Sequence, residues 1–490
     1  MLLDNWPVVP PMVVITSHEV AEQISKPSKY FPQYGVPKAP SVDRIVSLIG
    51  PNSILFKQNE EWKEVRKRFN PGFAPQHLIT LLPLIIEKAM PYFAVLDGFS
   101  RTGEEFSLDE ATTNLTFDVI GAVTMGEDMN AQDFASSGRD QLINMFKEMI
   151  KSMESTNHLT PVTADINTAH QDDKLQPPWW MAPLVHLRRR RLGARISQKL
   201  RQIVRRNFEE MGSAKHGRAS SDSPRSILAL SLQETDCLTP QIMEETCDQL
   251  KTFLFAGHDT TSTTIIWCIY ELFRTPRALK AVRDELDALF GPAAGSSTTS
   301  VQEKLLAPEG SELIHRMTYI SAVIKEVLRL YPPAGSIRTS RPGAGFVVST
   351  PQGDYNLDGT WIYLNHTIIH RDRAVFGETA DEFVPERWLQ SDASGGAACP
   401  PSAWRPFERG PRSCIGIELA NIEARVIIAM LVRRYEFTKV GLGEKELDAG
   451  GQPIVDGKGQ FKVKSELYSA IRITAKPVDG MMMKVKSLGI

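Results

Sequence analysis

The sequence predicts a mainly α-helical protein with a small β region. Two long apolar-rich stretches, residues 107–123 and 241–273, run without an internal proline. A third, 419–435, is apolar over most of its circumference, as a helix largely buried in a core must be. Strand-like alternation, by contrast, is confined to short segments.

Taken in order, residues 60–69 carry Trp62 and Val65 among charges, a short amphipathic helix. The stretch 241–273 stops at Arg274-Thr275-Pro276, and a helix over 323–331 stops at Pro332-Pro333. Segments 213–225 and 291–300 read as exposed connectors. Strands are expected at 345–349, 359–364, 461–464 and 467–474. In the last, Ile471 and Ile473 would share one face and Arg472 and Thr474 the other.

A chain of 490 residues can enclose a cofactor, and its 42% hydrophobic and 23% charged composition is ordinary for a globular protein. The net charge of -2 speaks against a nucleic-acid binder. Five cysteines without close pairs do not form a secreted disulfide framework, so a reducing setting is expected. Residues 1–16 are interrupted by Asp4, Pro7, Pro10 and Pro11, which fits neither a signal peptide nor a membrane span.

The chemistry concentrates around Cys414, in Phe407-Glu-Arg-Gly-Pro-Arg-Ser-Cys-Ile-Gly416. Gly410 allows a tight turn and Gly416 a close backbone approach. A buried helix begins just after the cysteine, and its N-terminal amides together with Arg412 favour a thiolate. A lone cysteine is more often a small buried hydrophobe, but the flanking glycines and arginine argue for a ligand. Zinc does not fit, because Cys399 is too distant and no histidine pair is near.

This segment closely resembles the heme-binding signature of the cytochrome P-450 family, Phe-x-x-Gly-x-Arg-x-Cys-x-Gly. The resemblance implies the cytochrome P-450 fold, as a single domain over residues 1–490, with Cys414 as the proximal ligand of heme b iron. An electron-rich thiolate on that iron favours O–O cleavage. Further motifs follow in family order. Glu326 and Arg329, an i,i+3 pair, would join Arg387 of Pro385-Glu-Arg-Trp388 in a structural triad. Residues 255–262, Phe-Ala-Gly-His-Asp-Thr-Thr-Ser, match the distal helix. There Gly257 would let the helix pass close over the porphyrin, and Thr260 would bond the carbonyl of Ala256 and open the helix locally. Asp259 and Thr260 would be the catalytic acid–alcohol pair. Trp62, Arg66, Arg338 and Arg412 would hold the propionates, with Arg341 a rival to Arg338.

The same resemblance implies a monooxygenase acting on a hydrophobic small molecule, of the kind made in fungal secondary metabolism. Its pocket would include Phe255, Ala256 and residues 334–337. Electrons would come from NADPH through a diflavin reductase, docked on Lys63, Lys67, Arg68, Arg405 and Arg409. Pro177-Pro-Trp-Trp180 followed by Arg188–Arg191 suits either a peripheral membrane contact on the cytoplasmic side, at the endoplasmic reticulum, or an ordinary basic helix start. The usual anchor helix of membrane-bound members is absent from the start of the sequence. Competing readings are a heme-thiolate isomerase or dehydratase, and a heme-binding sensor; Asp259 and Thr260 speak against both.

Overall fold

The computed structural model describes residues 2–3, 11–39, 45–133, 141–154, 182–215, 225–292, 298–389 and 399–488. Eight helices organise the account: α1 His18–Ser25, α2 Asn59–Phe69, α3 Leu82–Thr102, α4 Leu108–Met125, α5 Ala182–Lys215, α6 Pro240–Arg274, α7 Thr318–Leu330 and α8 Ile417–Arg434. The main core is built where α6 runs between α4, α7 and α8. Burying each large aliphatic or aromatic side chain there contributes roughly 1.5–3 kcal/mol.

The helix ends follow from local chemistry. Ser107 caps α4 by accepting from the Glu110 amide, and Gly126 closes it in the left-handed conformation at φ 72°. Thr239 caps α6 by accepting from the Ile242 amide, with Pro240 in the first turn. The N-terminus of α8 lies immediately past Gly416, so Cys414 precedes its first turn.

A four-stranded sheet places the N-terminal part of the chain beside residues 336–364. Met12–Ile15 pairs in parallel with Trp361–Leu364, and Ser336–Thr339 pairs with the latter in antiparallel register, Ser336 opposite Leu364. Its apolar face packs on Val20, Ala21 and Ile24 of α1, forming a second core with Phe346 and Ile362. Lys38 extends the edge through an antiparallel bridge to Arg338.

Two strand expectations are corrected. Residues 467–474 are not a single strand: Ser469–Ile471 pairs back on Ala475–Pro477 as a hairpin. Ile471 is consequently 78% exposed while Thr474 is buried, so the expected alternation is broken at the turn. Residues 461–464 form isolated bridges, Val455 to Phe461 and Lys445 to Val463, rather than a strand. The segment Pro177–Trp180 lies outside the described residues. Among the described residues no helix is long and apolar enough to cross a membrane.

Candidate heme site

Cys414 sits in a loop whose backbone is fixed at both ends. Its amide donates to Phe407 O at 2.9 Å. Gly410 has φ +74°, and a Cβ there would lie 2.3 Å from the carbonyl oxygen of Ser25, so only glycine fits. Gly416 differs from expectation. A Cβ there would make only ordinary contacts, 4.0 Å from Cys414 Sγ and 4.0 Å from Phe73 Cε1. Its absence keeps open the space in front of the sulfur. The Cys414 side chain remains exposed within this enclosed loop. Burial pushes its thiol up, opposed by the Gly416 amide, Arg66 and Lys38. A metal cation bound at the sulfur favours the thiolate.

The second wall is α6. From Thr246 to Phe273 every residue is buried except Ala256, Gly257 and Thr260. Ala256 and Thr260 lie one turn apart on one face, with Gly257 beside Ala256, so a buried helix has a single window. Thr260 Oγ1 donates to Ala256 O at 2.8 Å across that window, and α6 remains helical throughout. Gly257 carries a packing constraint: a Cβ there would lie 2.6 Å from Ile120 Cδ1 of α4. Phe73 links the two walls. It reaches the Gly416 side and packs edge-on against Phe253 of α6, ring centroids 5.1 Å apart. Ala334 and Gly335 are also exposed, between the buried Pro333 and Ser336.

Asp259 is engaged by the C-terminal hairpin. Lys476 Nζ lies 2.8 Å from Oδ1, and the Thr474 hydroxyl donates to Oδ2. Burial works against ionisation here, but Lys476 and His258 outweigh it and hold the carboxyl below its usual range. His258 itself is pushed down to about 4 by burial, and its ring stacks on Phe117 at 3.7 Å.

The cations gather at one edge. Arg66 Nη1 donates to Ser413 O at 2.8 Å, next to the cysteine. Arg412 lies over the Trp62 ring at 4.8 Å and donates to Lys57 O at 2.9 Å. Burial, with Arg338 and Arg66 close by, lowers the Arg412 guanidinium to about 9. Arg338 is fully buried whereas its rival Arg341 is exposed. Arg338 donates to Val36 O at 3.1 Å and approaches Glu408 at 3.5 Å, and its Nε is buried without a partner. Two residues here were not singled out from sequence. Lys38 stands opposite Arg338, and Glu408 adopts φ 57° inside the cysteine loop while accepting from Arg405 at 2.6 Å. Burial pushes the Glu408 carboxyl up, but Arg405, His366 and Arg338 bring it down to about 2.

These observations fit heme. The Cys414 side chain is exposed, α6 is interrupted in its burial at Ala256, Gly257 and Thr260, and among the described residues the cations Lys38, Arg66, Arg338 and Arg412 gather with the Glu408 carboxylate. An orphaned guanidinium nitrogen adds to the demand for an anion. Among the described residues no cluster of three or more His, Cys, Asp or Glu could hold a metal ion.

The scaffold behind the site is the expected triad. Arg329 pairs with Glu326 through two hydrogen bonds, 2.8 and 2.9 Å, both side chains fully buried. Arg387 Nε, Trp388 Nε1 and the Val384 amide complete the carboxylate's partners at 2.9–3.0 Å. The basic docking surface is smaller than expected. Arg405 is buried on Glu408 and Ser25, Arg409 pairs with Glu22, and Arg68 with Glu245, leaving Lys63 and Lys67 exposed.

Comparison with known proteins agrees with this geometry. The cytochrome P450 family profile matches residues 5–464. The cytochrome P450 monooxygenase acrF of Aspergillus aculeatus is 32% identical over 99% of this chain and 93% of its own length. A bifunctional cytochrome P450/NADPH–P450 reductase of Gibberella moniliformis is 34% identical across 40% of this chain and 16% of its own length. A crystal structure of a cytochrome P450 (CYP102L1) shares the fold at TM-score 0.73 and 18% identity, covering 99% of this chain and 95% of that one. On its sequence signature, its profile match and its fold, the chain belongs to the cytochrome P450 family.

Proposed function

We propose that this chain, acting as one domain over residues 1–490, is a heme-thiolate monooxygenase that oxidises a hydrophobic small molecule in fungal secondary metabolism. The carrying observation is the pairing of the exposed Cys414 sulfur with the window at Ala256, Gly257 and Thr260 in an otherwise buried helix. When bound, the heme supplies the iron at which dioxygen is reduced with two electrons and two protons, one oxygen atom entering the substrate and the other leaving as water. Cys414 would ligate the iron, Trp62, Arg66, Arg338 and Arg412 would hold the porphyrin by its carboxylates, and Ala256 would offer it a small surface.

Thr260 offers a hydroxyl at the window while its own proton is held by Ala256 O. Asp259 stands next to it as a carboxylate, with the Lys476 ammonium as its ion partner. The Thr260 hydroxyl, with the Asp259–Lys476 ion pair beside it, would pass on protons taken up from water on the helix side of the pocket. Ala256 and the opening at Ala334–Gly335 present small, apolar surface, which selects a hydrophobic substrate and excludes water from it, whereas Phe255 is buried in the core. An NADPH-dependent diflavin reductase supplies electrons, docking over the exposed Lys63 and Lys67. The fused reductase of the Gibberella relative supports that partner.

A peripheral membrane contact is supported by the start of α5. Leu184 and Leu187 are 59% and 45% exposed beside the exposed Arg188, Arg190 and Arg191. Flotation with anionic liposomes tests it, and protein left at the bottom of the gradient rejects it.

The function is tested by turnover with reductase, NADPH and labelled dioxygen over a panel of hydrophobic candidates. One labelled oxygen atom per product molecule is expected. Rearranged product without label and without NADPH consumption would instead identify an isomerase.

A further inference from the structure

The rim of the site holds a cation that no motif marks. Lys38 lies on an extended segment locked to the strand Ser336–Thr339: Ala39 N donates to Ile337 O at 3.1 Å, and Thr339 N to Pro37 O at 2.9 Å. The resulting bridge sets Lys38 directly opposite Arg338. Like charges opposite one another across a β pair destabilise it, and low solvation makes this worse. The arrangement therefore needs a compensating anion.

Glu408 attracts Lys38 only at longer range and forms no ion pair with it. Its carboxylate is taken by Arg405 at 2.6 Å, by Ser25 at 3.3 Å and by Arg338 at 3.5 Å. Among the described residues no carboxylate lies within ion-pair distance of Lys38 Nζ. The ammonium has three donors, and its one hydrogen bond is to Ser336 Oγ at 2.7 Å. Gln58 ties the same place to Arg412: its Nε2 donates to Lys38 O at 3.4 Å, and its Oε1 accepts from Arg412 at 3.3 Å. Burial, with Arg338 as a like-charged neighbour, holds the Lys38 ammonium well below its ordinary value. Arg338, in contrast, already has a counter-charge.

We propose that Lys38 binds a carboxylate of the porphyrin, because among the described residues its ammonium has no carboxylate within ion-pair distance. The inference rests on the heme reading above. Bound carboxylate would take up the free ammonium donors and relieve the repulsion between Lys38 and Arg338. Glu408 would then serve to hold Arg338 in register beside it.

The test is heme release from the purified holoprotein to excess apomyoglobin, with the wild type, Lys38→Met and Lys38→Arg compared. Lys38→Met is expected to release heme at least about tenfold faster, as loss of a charge-assisted hydrogen bond should. Lys38→Arg should stay close to wild type. A second arm uses protein reconstituted with iron protoporphyrin IX dimethyl ester, which carries no carboxylate. There the wild type and Lys38→Met should release at the same rate. An unchanged rate in Lys38→Met with ordinary heme overturns the proposal. An equal acceleration with the ester also overturns it, because the lysine would then be supporting the strand pair alone. A wild-type protein that holds no heme at all refutes the underlying cofactor reading instead.

Discussion

Lys476 Nζ lies 2.8 Å from Asp259 Oδ1 and, on its other side, 2.9 Å from Asp109 Oδ1. One ammonium thereby ties the C-terminal hairpin to both α4 and α6, beside the helix window. Burial alone would neutralise it, but the two carboxylates raise its proton affinity above the ordinary lysine value. Its contribution to stability is full below that ordinary value and is lost only as pH rises through the raised one. Asp259 behaves oppositely: its depressed value gives stability above the ordinary carboxylate range, lost as pH falls through the folded value. Both contributions are present at neutral pH. Lys476→Met should cost about 3 kcal/mol at pH 7, as breaking a buried pair does. Its deficit in urea midpoint against wild type should shrink as pH falls toward about 4, where the abandoned Asp259 can protonate.

Thr260→Ala removes the hydroxyl bonded to Ala256 O and leaves every rim cation in place. The variant should retain heme but divert reducing power, giving several-fold more hydrogen peroxide per NADPH consumed. A peroxide assay with reductase present checks this, and unchanged coupling would reject the role assigned to Thr260.

Gly257 is set by helix packing, since its Cβ would meet Ile120 Cδ1 at 2.6 Å. Gly257→Ala should destabilise by about 1–3 kcal/mol through overpacking. Combining it with Ile120→Ala should recover part of that loss. A double-mutant cycle in urea measures the coupling; strictly additive effects would mean that the glycine answers to something else.

Glu326 accepts from Arg329, Arg387, Trp388 and the Val384 amide while fully buried. Glu326→Ala should cost about 3–5 kcal/mol, because Arg329 would keep its buried charge without a counter-ion. The expected outcome is a sharp fall in soluble holoprotein, measured as heme per chain.

The helices at 60–69, 107–123, 241–273 and 419–435 were legible in the sequence because apolar period and proline stops are local signals, whereas α3 and α5 were not singled out and α7 begins five residues before the expected 323. The long α6 was read to within a residue at each end, and α8 to within two at its start. The Glu326–Arg329 pair was legible because i,i+3 spacing inside an apolar run implies a shared buried face. Lys38, Glu408 and Lys476 were not, since their partners come from remote segments: Lys38 meets Ser336, and Lys476 meets Asp109. Gly257 shows a different limit. A glycine in a helix announces close approach but not by what, and the packing against Ile120 is visible only in the fold. The 467–474 segment was misread because alternation over a few residues looks the same whether the chain continues or turns back at Arg472. Arg405 looked like surface charge, and only the fold reveals that it is buried on Glu408 and Ser25.

The central claim is that Cys414 is the thiolate ligand of a heme. The carbon monoxide difference spectrum of the reduced protein tests it most directly. The wild type should show the strongly red-shifted Soret band of a thiolate-ligated ferrous carbonyl, and Cys414→His should lose that band while its arginine rim is unchanged. A wild-type spectrum with the Soret position of a histidine-ligated heme, or the same band in both proteins, would contradict the account.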